Sequence, residues 1–138
     1  MNDKKNALIV IDGAESTRKM AAAIAAALKN FSVVTLTAGE FSGTHILSAD
    51  ICFFGAEVPN PPSFAYLSAV LHHINLAGRP CGVFSNSTSG AEYLRNMVHD
   101  SELALYPVVL MEGKSDVKKW TESVTARLKK RQNIQAGA

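Results

Sequence analysis

The chain contains 138 residues, of which 47% are hydrophobic and 19% are charged, and its formal net charge is +2. This length suits one domain, and the apolar content excludes a disordered or collagen-like chain. No apolar run approaches the roughly 20 residues of a membrane helix, and the apolar stretch near the N-terminus is too short for a signal peptide. We therefore expect a single domain over residues 1–138, in the cytoplasm and without a membrane partner.

Positive charge is concentrated near the C-terminus. Residues 114–138 contain seven Lys or Arg and two Asp or Glu, a net charge of +5, whereas residues 1–113 have a net charge of −3. Such a basic end can bind nucleic acid, but aromatic residues that could stack on bases do not alternate with the charges of the tail. We interpret it as a solvated helix face with a loose tail over residues 129–138, and we expect no nucleic-acid partner.

Cysteine and histidine are too few and too scattered for a metal site. Cys52 and Cys81 lie within strand-like runs, which predicts two buried, reduced thiols rather than a disulfide framework or zinc ligands. His72 and His73 are adjacent on a predicted helix, so their side chains point about 100° apart and cannot chelate one ion together. The sequence also lacks a nucleophile elbow, and we predict no catalytic residue and no metal.

Apolar runs and a helical repeat alternate at the start of the chain. Residues 7–11 and 31–37 predict strands, the first of them buried on both faces. Between the two strands, Ser16 or Thr17 can cap a helix. The apolar residues of this helix recur at helical spacing, at Met20, Ile24 and Leu28.

The middle of the chain predicts a strand followed by a helix. Residues 38–50 give a weak pattern with room for one helical turn, and residues 51–54 predict a third strand that ends at Gly55. After a proline-rich loop, Pro62 is suited to the first turn of a helix that Gly78 ends. The apolar face of this helix consists of Phe64, Leu67, Leu71 and Ile74.

The last third of the chain predicts two more strands and two more helices. Residues 81–84 form the fourth strand, and a polar loop over residues 85–90 leads into a short helix over residues 91–99. Residues 103–111 form the fifth strand, and Pro107 places it at a sheet edge because proline cannot donate a ladder bond. Ser115 can cap the last helix. Its buried face consists of Val117, Trp120, Val124 and Leu128, so we expect Trp120 to be a core residue.

Five strands joined by helices predict an α/β three-layer sandwich with a five-stranded parallel sheet. Parallel strands need crossover connections, and these crossovers cover both faces of the sheet. An edge position for the fifth strand fits the order 2-1-3-4-5. In that order, a ligand site lies at the carboxyl ends of the strands. The loops there comprise residues 12–17, 55–62 and 85–90.

The chain resembles the flavodoxin-like family over roughly residues 7–128. The family signature has an apolar strand, a hydroxyl-rich loop with a glycine, and then a threonine, an alanine and an aliphatic residue, which Thr17, Ala21 and Ile24 match. Residues 49–56 and 82–85 are similar to the strands that lead into the two flavin loops. The phosphate loop departs from the family pattern, with Asp12 where Ser or Thr is usual and Glu15 where Gly is usual.

The resemblance implies FMN as cofactor. The FMN phosphate would lie on the loop over residues 12–17, and two further loops would border the flavin ring. The cofactor-binding residues implied in this way are Gly13, Ala14, Ser16, Thr17, Glu57, Val58, Pro59, Asn60, Asn86, Ser87, Thr88 and Gly90. Phe64 falls on the buried face of its helix, which favours a core role. Tyr66 is a better candidate for stacking on the ring, and Tyr93 fits either role.

Two functions follow from this resemblance. In the first, the protein binds FMN weakly and carries electrons to a redox protein partner or reduces a small acceptor. In the second, it has lost the flavin and binds a protein partner or another small ligand. Asp12 and Glu15 bear on the choice, because each would add negative charge beside a phosphate, unless Glu15 turns to solvent or the two simply favour the helix N-terminus. Receiver domains share the strand order, but their phosphoacceptor aspartate at the end of the third strand is replaced by Gly55.

Overall fold

The computed structural model describes residues 4–76, 78–114 and 116–136, with the backbone alone for residues 129–136. One turn of 3-10 helix spans Pro62–Phe64. The strands are β1 (Lys5–Ile11), β2 (Phe31–Thr37), β3 (Ile51–Gly55), β4 (Pro80–Ser85), β5 (Ala104–Leu105) and β6 (Leu110–Met111). The helices are α1 (Glu15–Ala27), α2 (Gly43–Leu47), α3 (Ala65–His73), α4 (Thr88–His99) and α5 (Val117–Ala136).

All strand pairs are parallel, and the order β2-β1-β3-β4-β5 confirms the predicted topology. The central strands β3 and β4 are buried at every position, as expected of strands covered by helices on both faces. The strand β2 lies at one edge and alternates between partly buried and exposed residues over most of its length. The flavodoxin-like fold therefore follows from the sequence pattern. No helix in the described part of the chain is long and apolar enough to cross a membrane.

The predicted fifth strand differs from the observed one. Two short strands replace it, and both β5 and β6 pair with β4. Pro107 lies in the gap between them, and across this gap the register to β4 shifts by two residues, from Ala104 opposite Pro80 to Leu110 opposite Phe84. The edge position that Pro107 predicts is confirmed.

Three helix boundaries also differ from their predictions. Ala14, rather than Ser16 or Thr17, is the N-cap of α1, because the Thr17 hydroxyl is turned inward within the first turn. The helix α3 ends at His73, well before Gly78, whose positive φ of 72° lies instead in the loop to β4. The helix α4 begins earlier than expected, at Thr88.

The C-terminal helix is longer than its apolar face indicates. Its backbone continues to Ala136, so it extends into the segment for which a loose tail is predicted. The looseness of that segment stays a prediction, and its last two residues lie outside the described part. Ser115, the predicted cap of α5, also lies outside the described residues.

Two apolar layers enclose the sheet. On one face, α1 and α5 cover a cluster that includes Ile9, Phe53 and Trp120. Trp120 is 5% exposed and its Nε1 donates to the Val108 carbonyl at 2.7 Å, so its predicted core role is confirmed. A Cβ on Gly82 would lie 2.7 Å from the Trp120 ring, which explains why glycine is needed at this point of close approach.

The opposite face holds the second cluster and both cysteines. Cys52 and Cys81 are partners in the β3–β4 register, and both thiols are free and buried, as predicted. Burial raises the pKa of the Cys52 thiol to about 12 and raises that of Cys81 well above its usual value. Both groups are therefore neutral thiols at physiological pH, which is typical of structural rather than reactive cysteines.

Candidate functional site

Three loops meet above the carboxyl ends of β1, β3 and β4. They connect β1 to α1, β3 to α3 and β4 to α4, and they contain the residues implied as a cofactor site. Their close approach follows from the strand order, since β1, β3 and β4 are adjacent in the sheet and end at the same edge.

Asp12 is the central acceptor of this loop cluster. Its Oδ1 accepts hydrogen bonds from the Thr17 hydroxyl at 2.6 Å and from the Ala14 backbone N–H at 3.2 Å. Its Oδ2 accepts from the Glu57 backbone N–H at 2.8 Å. The carboxylate thus takes donors from the start of α1 and also joins the first loop to the second.

Glu15 has the opposite orientation. Its side chain is 83% exposed and pairs with Lys19, one turn further along α1, at 3.3 Å. The Arg18 Nε donates to the Gly13 carbonyl at 3.1 Å. Of the two carboxylates that depart from the family pattern, Asp12 points into the loop cluster and Glu15 points into solvent.

The Glu57 carboxylate joins the first loop to the third. Its Oε2 accepts from the Ser16 hydroxyl at 2.9 Å and from the Asn86 side-chain amide at 3.1 Å. Together with the bond from its backbone N–H to Asp12, this places Glu57 in contact with both neighbouring loops. A second negative charge therefore lies in the cluster.

Serines connect the second loop to the third. The Ser87 hydroxyl donates to the Glu57 carbonyl at 2.6 Å and accepts from the Gly90 backbone N–H. The fully buried Ser85 hydroxyl donates to the Ala56 carbonyl, also at 2.6 Å. A Cβ on Gly90 would lie 2.6 Å from the Ser85 Oγ and 2.9 Å from the Ala56 and Glu57 carbonyl oxygens, so only glycine permits this approach.

The structure brings most of the implied site residues into one hydrogen-bonded cluster. The residues bonded from one loop to another are Ser16, Glu57, Asn86 and Ser87. Ala14 and Thr17 donate to Asp12 within the first loop, the Gly13 carbonyl accepts from Arg18, and Gly90 donates to Ser87 within the third loop. Val58, Pro59 and Asn60 are exposed on the outer part of the second loop, and Thr88 is exposed at the start of α4. A contact of any of these residues with flavin stays a prediction.

The three aromatic side chains near the loops differ in how deeply they are buried. Phe64 is fully buried, in agreement with a core role. Tyr93 is partly buried with its ring 6.3 Å from that of Phe64, and burial raises the pKa of its hydroxyl. Tyr66 is 53% exposed and lies 5.9 Å from the Phe41 ring, so it alone of the three presents an open aromatic surface.

These contacts allow a test of whether FMN fits. A phosphate at a helix N-terminus is held by backbone N–H groups and hydroxyls. Here the Ala14 N–H and the Thr17 hydroxyl already bond to Asp12. Phosphate would also meet the negative charge of Asp12, which costs roughly 2–3 kcal/mol at about 6 Å and an effective dielectric near 20. The loop as it stands does not fit an FMN phosphate unless Asp12 moves or is neutralised.

Two residues important to the cluster are absent from the implied site. The sequence pattern predicts Asp12 as a source of repulsion or as a helix-start residue, whereas in the structure it accepts hydrogen bonds from two loops. Ser85 marks the end of a buried strand, and its hydroxyl is used wholly inside the protein. Their positions directly after buried strands are the signal that the sequence offers for both. Within the described residues, no group of His, Cys, Asp and Glu could hold a metal ion.

Comparisons with known proteins support the fold. No family model matches the sequence, and no curated protein matches it either. Among solved structures, oxidised flavodoxin 2 from Bacillus cereus aligns with a TM-score of 0.76 at 14% identity, covering 88% of this chain and 99% of that one. A flavodoxin from the domain Archaea aligns with a TM-score of 0.69 at 18% identity. The alignment covers 90% of this chain and 99% of that one.

A flavodoxin variant from Fusobacterium nucleatum bound to flavin mononucleotide also aligns. Its TM-score is 0.65 at 12% identity, and the alignment covers 93% of this chain and 96% of that one. The fold is therefore flavodoxin-like over nearly the whole chain, as the sequence resemblance implies. Identities this low define the fold and not the ligand.

Proposed function

We propose that this protein is a flavodoxin-fold binding module that works without a bound flavin. The observation that carries the proposal is the Asp12 carboxylate, which already accepts from donors of Ala14, Thr17 and Glu57. An internal carboxylate needs no ligand to satisfy these groups, so the loop is complete by itself.

The second and third loops support the same proposal. Glu57, Ser85 and Ser87 bond these loops to each other and to the first. A flavin ring that entered between the loops would have to break such bonds, and each buried polar group left unpaired costs about 1–3 kcal/mol. Removing the charge at the phosphate end alone would not open this space.

The loop after β3 and the first turn of α3 offer a surface for a protein partner. Val58 and Tyr66 are 51% and 53% exposed, and both lie at the same end of the sheet as the loop cluster. Large apolar side chains with this exposure, beside polar groups that are already satisfied, suit a protein contact better than a buried small ligand. A cytoplasmic location belongs to the proposal, and the two buried, unlinked thiols support it.

The second candidate is an FMN-dependent electron carrier with a redox protein partner. It is favoured by the alignment with the flavin mononucleotide-bound flavodoxin from Fusobacterium nucleatum. Thr17 and the hydroxyl-rich third loop also match the family pattern. When bound, FMN would supply one- and two-electron chemistry, with its phosphate near Thr17 and its ring between the loops of Glu57 and Asn86.

An FMN titration separates the two candidates. Binding is measured by quenching of FMN fluorescence for the parent protein, Asp12→Ser and Glu15→Gly, at low and high salt. The binding-module proposal predicts a colourless protein and no binding by any of the three at millimolar flavin. The electron-carrier candidate predicts that Asp12→Ser tightens binding by about 30- to 150-fold, because one like-charge pair is removed.

Glu15→Gly is the matched control, since it removes a carboxylate of the same loop that points into solvent. On either account its effect is small, because exposed charges are screened. Tight FMN binding by the parent protein would overturn the binding-module proposal outright.

A further inference from the structure

The strand β2 forms an open edge of the sheet. It is seven residues long and pairs along its whole length with β1, in register from Phe31 opposite Lys5 to Thr37 opposite Ile11. No other strand in the described part of the chain pairs with its far side. An open edge of this length presents backbone donors and acceptors to any further strand.

This edge has none of the usual protections against such pairing. Its sequence contains no charged residue, no proline and no glycine, and five of its seven residues are valine, threonine or phenylalanine, which favour strands. At the opposite edge, β5 and β6 are two residues each and Pro107 separates them. One edge of the sheet is blocked and the other is open.

Apolar surface accompanies the open edge. Val34 at the centre of β2 is 46% exposed, and Leu47 at the end of α2 is 53% exposed. Ser32 and Val34 line a cavity of about 310 Å³ that α2 leaves beside the strand. The short helix α2 therefore does not cover the outer half of this face.

The backbone of β2 favours one particular pairing. The Ala38 N–H donates to the Ile11 carbonyl, so by alternation the even residues of β2 point to β1 and Val33 and Thr35 point outward. If two copies of β2 pair antiparallel about Val34, Val33 lies opposite Thr35 of the second copy and exchanges both backbone bonds with it. The Thr37 N–H stays bonded to Glu40, so the new bonds are confined to the centre of the strand. Val34 then lies opposite its own copy in a non-hydrogen-bonded pair, where side chains are closest.

The charges at the two ends of β2 are complementary in this antiparallel arrangement. Lys29 precedes the strand and is exposed, and Glu40 follows it. Glu40 accepts bonds from the Thr37 N–H and hydroxyl, which hold its carboxylate at the strand end and lower its pKa. Antiparallel pairing brings Lys29 of each copy to Glu40 of the other, whereas parallel pairing would bring like charges together.

We propose that β2 is a homodimer interface, through which two copies of this chain join their sheets antiparallel about a two-fold axis at Val34. The pairing covers the exposed Val34 of both copies and satisfies the outward groups of Val33 and Thr35. This surface lies on the sheet edge beyond β1 and is independent of the loop cluster, so its test does not depend on whether flavin binds.

The test is sedimentation velocity over micromolar to millimolar protein, with each variant checked for folding by circular dichroism. The parent protein is expected to show a concentration-dependent dimer. Val34→Lys places two like charges opposite each other and should weaken the dimer about tenfold or more. Thr35→Pro removes an N–H that points away from β1, so it should abolish the dimer while the internal sheet keeps its bonds.

Matched variants check the geometry. Val108→Lys introduces the same charge at a valine of similar exposure at the opposite edge and should leave the dimer unchanged. Lys29→Glu and Glu40→Lys should each weaken the dimer, and the double exchange should restore it. Hydrogen exchange of the Val33 and Thr35 amides should slow as protein concentration rises.

A parent protein that is monomeric throughout would overturn the proposal. So would a dimer in which Val34→Lys and Val108→Lys have equal effects, or one in which the β2 amides exchange at the same rate at all concentrations.

Discussion

The loop cluster and the sheet face under α5 are built by different kinds of interaction. Under α5, one apolar stripe packs on the sheet. The ring centroids of Trp120 and Phe53 are 5.8 Å apart, and the Trp120 ring lies directly above Gly82. In the loop cluster, polar groups far apart in sequence bond to one another, as Asp12 does to the backbone of Glu57. The first region depends on a repeat within one helix, and the second depends on single polar residues at strand ends.

The difference predicts different consequences of substitution. Removing a large buried apolar side chain loses its transfer free energy and leaves a cavity. Removing one polar group from a partly buried cluster costs less, because water can replace part of the lost bonds. Stability should therefore depend mainly on the face under α5, and ligand access mainly on the loop cluster.

The largest effect is expected for Trp120→Ala. This substitution removes the ring that contacts Phe53 and Tyr106 and also the donor to the Val108 carbonyl. The free energy of unfolding should fall by about 3–5 kcal/mol in denaturant titration. Trp120→Phe keeps part of the packing and should cost less. Unchanged unfolding together with altered ligand binding would show that Trp120 belongs to a site and not to the core.

The second effect concerns Asp12. Asp12→Ala leaves the Ala14 N–H and the Glu57 N–H without their acceptor, whereas the Thr17 hydroxyl keeps the Ala14 carbonyl at 3.0 Å. It should lower the free energy of unfolding by about 1–3 kcal/mol. Glu15→Ala is the matched control and should change it by less than about 1 kcal/mol, because its pair with Lys19 is exposed. Equal effects of the two substitutions would contradict the distinction between an inward and an outward carboxylate.

The fold could be predicted from the sequence because its signals are local and repeated. Buried strands such as residues 51–54 appear as apolar runs, and the stripe that contains Trp120 appears at helical spacing. Pro107 correctly predicted an edge. The division of the strand into β5 and β6 was not predicted from this proline. Helix starts were less predictable, since the Thr17 hydroxyl has a better acceptor in Asp12 than a capping position offers.

The loop cluster was only partly predictable. Strand order placed the three loops together, and this much follows from topology. The hydrogen-bond partners of single polar groups do not follow from topology. Asp12 and Glu57 are 45 residues apart, and no repeat in the sequence relates the two positions. For the same reason the sequence could not show that Asp12 points inward and Glu15 outward.

The third effect is expected for Ser85→Ala. The hydroxyl of this buried residue donates to the Ala56 carbonyl and accepts from the Ser87 N–H, so its loss leaves both groups without their partner. We expect a decrease of about 1–2 kcal/mol in the free energy of unfolding. Thr88→Ala, at an exposed position of the same segment, is the control and should have little effect. A neutral Ser85→Ala would mean that water replaces the hydroxyl.

The smallest effect on stability is expected for Glu57→Gln, which tests whether the carboxylate matters for its charge or for its shape. The amide has nearly the same size and keeps an oxygen that can accept from the Ser16 hydroxyl or the Asn86 amide. The free energy of unfolding should therefore change by less than about 1 kcal/mol. Glu57→Ala should cost more, because it removes the bonds through which Glu57 connects the first loop to the third. If Asp12 and Glu57 repel each other, Glu57→Gln should even stabilise the protein slightly, and more so at low salt, where screening is weakest. Chemical denaturation of both variants at two salt concentrations distinguishes these outcomes. A large loss in Glu57→Gln that salt does not change would show that the cluster depends on the carboxylate itself, and that its polar bonds stabilise the protein about as much as the apolar packing under α5.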